Sequence, residues 1–250
     1  MTLTLDQCVL EIEGLLPASE PKSGWGSIIS AHQYRPLLDF VRDVAPAPAR
    51  ILDWGCGRGF LAYWLVGNGY DVAATDFWEI GLVPILLRRD PERFSFDLAA
   101  DPVALPYGDG EFDHVISAGV LEHVREGGGT ELGSLAEIHR VLRPGGRLFV
   151  THLPSQRAWP DEFARRFMPR AHTHQYRYSL GDVRTMLTQS GFELDRVTRT
   201  GAIPRNPLSR LPRWISDSPS VARALDATDR AACELVGDRA QNIAFIARRV

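Results

Sequence analysis

Three glycines at alternate positions, Gly55, Gly57 and Gly59, follow a short apolar run that ends in Asp53-Trp54 and lead into the apolar segment 60–66. Strand, glycine turn and helix in that order bring backbone N–H groups close to a nucleotide-like ligand. Glycine is required where a side chain would collide with the ligand or forbid the turn. The turn reads G-x-G-x-G, and Phe60 stands where the dinucleotide fingerprint has its last glycine. Cys56 sits inside the turn as a small residue. A second run, 70–75, ends at Asp76. An acid about 20 residues past such a turn, at a strand tip, accepts hydrogen bonds from two ribose hydroxyls.

A second group of reactive residues lies further on. His152 leaves an apolar run, and the excursion after it holds Trp159, Phe163, Phe167, Met168, His172, His174, Tyr176 and Tyr178. A long excursion at a strand tip is commonly functional. His152, His172, His174 and Tyr178 are the candidates for a general base that takes a proton from a bound acceptor. Residues 157–184 contain six arginines against three acids, Asp161, Glu162 and Asp182. Arginines interleaved with aromatic residues suit an apolar acceptor with a carboxylate or phosphate. No cysteine or acid set accompanies His172 and His174 at ligand spacing, so no metal is expected.

The elements that must hold these residues follow from periodicity. Residues 4–16 read as an amphipathic helix opened by a Thr4/Gln7 capping box, and a second helix follows Ser30. These leading helices either pack on the sheet or cover the ligand cleft. Strands are predicted near 50–54, 70–75, 93–98, 112–117, 147–151, 192–200 and 241–250. Helical stripes separate most of them, including one at 179–191 with Ser179 and Asp182 at box spacing. The segment 201–219, with four prolines, reads as a surface loop with one helical turn. Alternating strands and helices imply a doubly wound, mostly parallel sheet whose ligand lies beyond the strands' carboxyl ends. The expected division is a helical cap segment at 1–48 and a main domain at 49–250. The main domain carries a substrate-side insertion near 152–180 and a loop near 201–219.

Composition narrows the classes. The 250 residues are 44% hydrophobic and 24% charged, which suits a globular chain with a substantial core. A net charge of −3 argues against a nucleic-acid partner held by bulk electrostatics. No apolar run reaches membrane-spanning length. The cysteines Cys8, Cys56 and Cys233 are odd in number and scattered, which fits a reducing compartment and a cytoplasmic location.

The segments LDWGCGRGF (52–60), ATD (74–76), LPYGDGEFDHVIS (105–117), LEHV (121–124) and LRPGGRLFVT (142–151) together resemble the class I S-adenosylmethionine-dependent methyltransferases, in particular those that methylate small molecules. The resemblance implies a Rossmann-like seven-stranded sheet whose last strand inserts antiparallel beside the fifth. It implies S-adenosylmethionine as cofactor. Asp53 and the backbone at Gly55, Cys56 and Gly57 would face its amino-acid part, Asp76 its ribose and Phe77 its adenine. Asp97 with Leu98, or Asp101, would meet the adenine amine, with Asp97 preferred. Ser117 and Gly119 would lie near the methionine part. His123 matches a family pattern in which that histidine is structural or catalytic. The implied reaction is in-line attack of an acceptor oxygen, nitrogen or carbon on the sulfonium methyl. The competing readings are a nicotinamide-dependent oxidoreductase and a non-catalytic nucleotide-binding protein.

Overall fold

The computed structural model describes residues 2–22, 24–168 and 174–250. Helix α1 (Leu5–Leu15) opens on the Thr4/Gln7 box and buries Leu5, Cys8, Val9 and Ile12 on one face. Two helices follow, α2 (Ile28–Ala31) and α3 (Arg35–Val44), joined by a tight turn over His32–Tyr34. The main body then runs β1 (Arg50–Trp54), α4 (Phe60–Gly67), β2 (Asp71–Asp76), α5 (Val83–Arg89), β3 (Phe94–Leu98), β4 (Phe112–Ala118), a 3-10 turn at Leu121–Gly127, α6 (Glu131–Val141) and β5 (Leu142–Pro154). Helix α7 (Trp159–Phe167), α8 (Leu180–Gln189), β6 (Phe192–Thr200), α9 (Arg213–Ser216), α10 (Pro219–Val236) and β7 (Asn242–Arg249) complete the described chain.

The strands form one sheet in the order β3-β2-β1-β4-β5-β7-β6. Strands β1 to β5 pair in parallel, and β7 runs antiparallel between β5 and β6, as the family resemblance implied. Each strand alternates its side chains between two apolar layers. Ile51, Val72, Ile116 and Phe149 face the layer with α1, α3, α4 and α5, whereas Leu52, Ala73, Val115 and Leu148 face the layer with α6 and α8. The chain order reverses between β1 and β4, so the crevice of a doubly wound sheet opens beyond their carboxyl ends.

Two elements differ from the sequence reading in ways that shape the site. Strand β5 is longer than 147–151 because its ends find partners: Leu142 pairs with Phe112, and Leu153 with Ile243. Between Val150 and Leu153 the register against β7 slips by a residue, and His152 takes a left-handed backbone at φ 61°. A bulge of this kind re-aims a side chain at the rim of a sheet. The excursion after β5 is also not wholly irregular. Helix α7 carries Pro160 and the acids Asp161 and Glu162 in its first turn, with Arg165 and Arg166 in its last. That charge order complements the helix dipole.

The leading helices are pinned across the fold by polar contacts. His32 meets Asp6 at 2.7 Å through Nε2 and Asp226 at 2.8 Å through Nδ1. Arg35 and Arg205 pair with the same Asp226 at 2.9 and 2.8 Å. The arrangement ties α1, the His32–Tyr34 turn, α10 and the loop before α9 together, and it holds Tyr34 over the carboxyl ends of β1 and β4.

Candidate active site

Two cavities meet over those strand ends. The first, about 630 Å³, is bordered by Asp53, the turn 55–58, Asp76, Phe77 and Gly119. The second, about 940 Å³, is bordered by His152, His174, α7 and the segment leading from β6. Tyr34, Ala118, Gly119 and His123 belong to both walls, so the cavities share a junction at the tip of β4.

The three turn glycines are required for three different reasons. At Gly55, with φ +70°, a Cβ would fall 2.4 Å from Val120 Cγ2, so the turn and the segment after β4 close on each other. At Gly59, with φ +73°, a Cβ would press on Val83 of α5 at 3.1 Å. At Gly57, with φ +54°, a Cβ would meet no protein atom within 4 Å. Its bare backbone therefore faces the open space of the first cavity. Asp76 fastens the turn: its Oδ2 accepts from Gly57 N at 2.8 Å and its Oδ1 from Phe77 N at 2.7 Å. A carboxylate has about four lone-pair sites, so Asp76 retains acceptor capacity toward the cavity.

Asp53 is 2% exposed, and its Oδ2 has no hydrogen-bond partner. Burial, then the neighbouring Asp76, push its protonation up to about 7, against a small opposing effect of the Ala62 N–H. A buried carboxylate left short of a partner at the floor of a cavity fits a ligand that brings a cation. The open face above Gly57 fits a ligand that lies against backbone. Both features suit the amino-acid and nucleoside parts of S-adenosylmethionine.

The other expected cofactor residues divide. Phe77 lines the first cavity, 45% exposed, together with its neighbour Trp78. Asp101 and Ala99 are on its wall, but Asp97 and Leu98 are not. Of the two acids, Asp101 borders the first cavity. The Tyr107 hydroxyl beside Asp97 donates to Ala74 O at 3.3 Å, and Leu98, on the edge strand, is 63% exposed. Asp101 caps the loop by accepting from Val103 and Ala104 N–H through Oδ1. That pairing holds its carboxyl below the usual carboxylate range. Ser117 is fully buried beneath Gly119 and is absent from both walls. Cys56 lines the first cavity, its thiol proton retained by burial.

Among the candidate bases, His123, His152 and His174 lie at the junction or on the second wall. The bulge turns His152 inward beneath Tyr34, ring centroids 4.6 Å apart. Burial and then His174 push its protonation down to about 4, so its imidazole is neutral at pH 7. Tyr178 is not at the site. It is absent from both walls; its hydroxyl donates to Glu131 Oε1 at 2.6 Å, and Arg125 pairs with the same carboxylate. The predicted consequence is that Tyr178→Phe lowers stability by about 1 kcal/mol and leaves any turnover intact. Denaturant melts beside a methyl-transfer assay check this, and a loss of turnover without a loss of stability would return Tyr178 to the site. His172 and Arg170 lie outside the described residues.

The arginines of the excursion are also elsewhere: Arg157, Arg165, Arg166, Arg177 and Arg184 are absent from both walls. The cations of the second wall are Arg35, Arg199, Arg205 and Arg230. Of these, Arg35, Arg199 and Arg205 are ion-paired to aspartates.

Trp25 and Trp78 are wall residues that periodicity did not single out, and it placed Tyr34 only on the apolar side of a helix. The only sequence signal was aromatic residues in the leading segment and beside Phe77. Burial, with a smaller contribution from Asp53, pushes the Tyr34 phenol up to about 12, so it remains a hydrogen-bond donor. Glu122 is also buried by tertiary contact, and burial pushes its protonation up to about 7.

Comparison with known proteins points one way. A family profile described as a methyltransferase domain matches residues 52–150. The chain is 38% identical over 150 residues to a demethylmenaquinone methyltransferase of Renibacterium salmoninarum, covering 59% of this chain and 60% of that one. It is 29% identical over 200 residues to a ubiquinone biosynthesis O-methyltransferase of Thiobacillus denitrificans, covering 75% and 82%. The chain thus spans less than two thirds of the first of these relatives, and 39% of a second demethylmenaquinone methyltransferase, from Beutenbergia cavernae. Among solved structures, the fold matches a Burkholderia thailandensis 1,6-didemethyltoxoflavin-N1-methyltransferase with bound 1,6-didemethyltoxoflavin and S-adenosylhomocysteine, with TM-score 0.56 and 23% identity over 87% of this chain and 78% of that one. It also matches the [4+2]-cyclase SpnF, with TM-score 0.58 and 20% identity over 98% and 92%. A cyclase among these neighbours shows that the fold alone does not set the reaction. No helix among the described residues is long and apolar enough to cross a membrane. The matched methyltransferase domain, residues 52–150, contains the glycine turn, and the sheet order is shared with the solved methyltransferase of similar fold.

Proposed function

We propose that this protein transfers a methyl group from S-adenosylmethionine to a small-molecule acceptor held in the second cavity. The observation that carries this reading is the shared junction at Gly119 and His123, where a cofactor-like cavity opens into a separate, larger one. Two reactants entering from opposite sides would meet there, as in-line displacement requires.

Bound S-adenosylmethionine supplies an electrophilic methyl, so the chain's task is mostly alignment. Fixing both reactants can lower the barrier by up to about 7–11 kcal/mol. In this reading Asp53 binds the cofactor's ammonium, and backbone at Gly55, Cys56 and Gly57 lies against its amino-acid part. Asp76 binds the ribose, and Phe77 with Trp78 packs on adenine, whose amine is met by Asp101. Gly119, lacking a side chain, leaves the methyl's path clear. The acceptor's electron pair forms the new bond to carbon as the carbon–sulfur pair withdraws onto sulfur, leaving S-adenosylhomocysteine. A protonated acceptor gives its proton to a group at the junction or to water, and His123, His152 and His174 are the side chains within reach. Arg230, at the mouth of the second cavity and without an ion pair among the described residues, is the group offered to an acceptor carboxylate or phosphate. The acidic balance of the chain favours a small acceptor over a nucleic acid.

Calorimetric titration with S-adenosylmethionine and S-adenosylhomocysteine tests the reading on the native protein and on Asp76→Ala. Native binding that weakens tenfold or more, about 1.4 kcal/mol, in the variant supports it and justifies acceptor screening. A folded native protein that binds neither molecule overturns it.

A further inference from the structure

Glu122 and His123 stand on the turn after β4, and His174 lies at the far end of the excursion after β5. The fold nevertheless brings one donor atom from each within 4.8 Å of the other two. We propose that Glu122, His123 and His174 form a binding site for a divalent first-row transition metal at the junction of the two cavities.

The donor set argues for this class of ion. Two imidazoles and a carboxylate suit zinc, iron, cobalt or nickel, and are too nitrogen-rich for magnesium or calcium. Metal bonds of about 2.0–2.2 Å place neighbouring donors roughly 3.3 Å apart. The donors must therefore close by up to roughly 1.5 Å, a distance that side-chain rotation covers, since both histidines are partly exposed while Glu122 is 2% exposed. The two imidazoles already face one another, ring centroids 5.5 Å apart. His123 Nδ1 bonds Glu126 Oε2 at 3.0 Å, which leaves Nε2 to ligate. An outer carboxylate on the second ring nitrogen is the usual support of a metal-bound histidine. No described arginine or lysine pairs with the buried Glu122 carboxylate, and a buried charge left uncompensated is costly. A bound cation would compensate that charge.

Position decides what such an ion would do. Glu122, His123 and His174 all line the second cavity, and His123 also lines the first. A Cβ placed on Gly119 would touch Glu122 Oε1 and His152 Cβ, each at 3.8 Å, so the carboxylate borders the proposed methyl path. Three protein ligands leave a tetrahedral or larger shell open, as in catalytic metal sites. The open position faces the acceptor cavity, where an acceptor oxygen would complete the shell. A cation there acidifies a ligated hydroxyl, whose proton passes to water. The role as acceptor ligand rests on the proposed methyl transfer, whereas the site itself does not.

The test is calorimetric titration of the metal-stripped full-length protein with Zn²⁺, repeated with Co²⁺ while its visible ligand-field bands are recorded. Native protein, His123→Ala, His174→Ala and Glu122→Gln are compared, with S-adenosylhomocysteine binding measured on each. Stoichiometric binding that weakens about tenfold or more in each variant supports the site. Absence of stoichiometric binding by native protein, or binding by the two histidine variants as tight as that of native protein, overturns it. A protein that binds S-adenosylhomocysteine but no metal loses the site and keeps the methyltransferase reading. One that binds metal but no S-adenosylhomocysteine loses the acceptor role and keeps the site.

Discussion

Asp53→Asn is expected to remove S-adenosylmethionine binding while making the cofactor-free protein more stable at neutral pH. The side chain is buried, one oxygen has no partner, and burial pushes its protonation up to about 7 from 3.8. A carboxyl whose folded value is raised favours folding while protonated. That contribution is complete below about pH 4 and is lost as pH rises through about 7. At about 1.4 kcal/mol for each unit of displacement, the loss reaches at most about 4 kcal/mol. The cofactor's ammonium, in the proposed reading, restores the missing countercharge. Native affinity should then fall about tenfold per pH unit below pH 7, because the carboxyl must give up its proton to bind. Asparagine keeps the shape and one acceptor but carries no charge, so its stability should be flat over this range. Thermal melts and calorimetry between pH 5 and pH 8 read both effects. A native protein whose stability and affinity ignore pH there would sink the role given to Asp53.

The second large effect separates two neighbouring glycines. Gly57→Ala places its methyl in the first cavity, where it meets no protein atom. The fold should lose only the cost of a left-handed alanine, about 1–2 kcal/mol, while cofactor binding is blocked. Gly55→Ala drives its Cβ to 2.4 Å from Val120 Cγ2. Overpacking of that kind costs about 1–3 kcal/mol on top of the same backbone term. Adding Val120→Ala should recover part of the Gly55→Ala loss and none of the Gly57→Ala loss, because only the first pair is in contact. Denaturant melts with parallel S-adenosylhomocysteine titrations check the pattern. Equal stability losses in the two single variants, with binding kept in Gly57→Ala, would show that the cavity over Gly57 holds no cofactor.

The order of strands and helices, the glycine turn and the acid ending β2 were legible in the chain because each is a local matter. Apolar residues at period two make a strand wherever both faces can be buried, and glycines at alternate positions announce a turn that only glycine makes. Gly57 and Asp76 followed from the turn and the spacing to the next strand tip, whereas the role expected of Asp53 came from the family resemblance. The antiparallel β7 came from the family resemblance and not from periodicity, which carries no strand direction.

Long-range geometry decided the rest. Asp97 stands at the tip of β3 and Asp101 just past it, and only the fold leaves Asp101 on the cavity wall and Asp97 off it. His152 lies near the end of β5 and Tyr178 well past it, but the bulge aims His152 into the cavity, whereas Tyr178 pairs with Glu131. The arginines of the excursion suggested an anion site by composition, yet helix α7 presents Phe163 and Met168 to the cavity and its arginines elsewhere. Tyr34 reaches the junction, and Trp25 the first cavity, on the leading segment that His32 and Asp226 tie to α10. What this sequence determined by itself was the backbone scaffold and the ligand-facing turn, since these depend on residues a few positions apart. Tertiary structure alone decided which distant side chains meet at the junction, because that depends on strand order, register and one extra residue in β5.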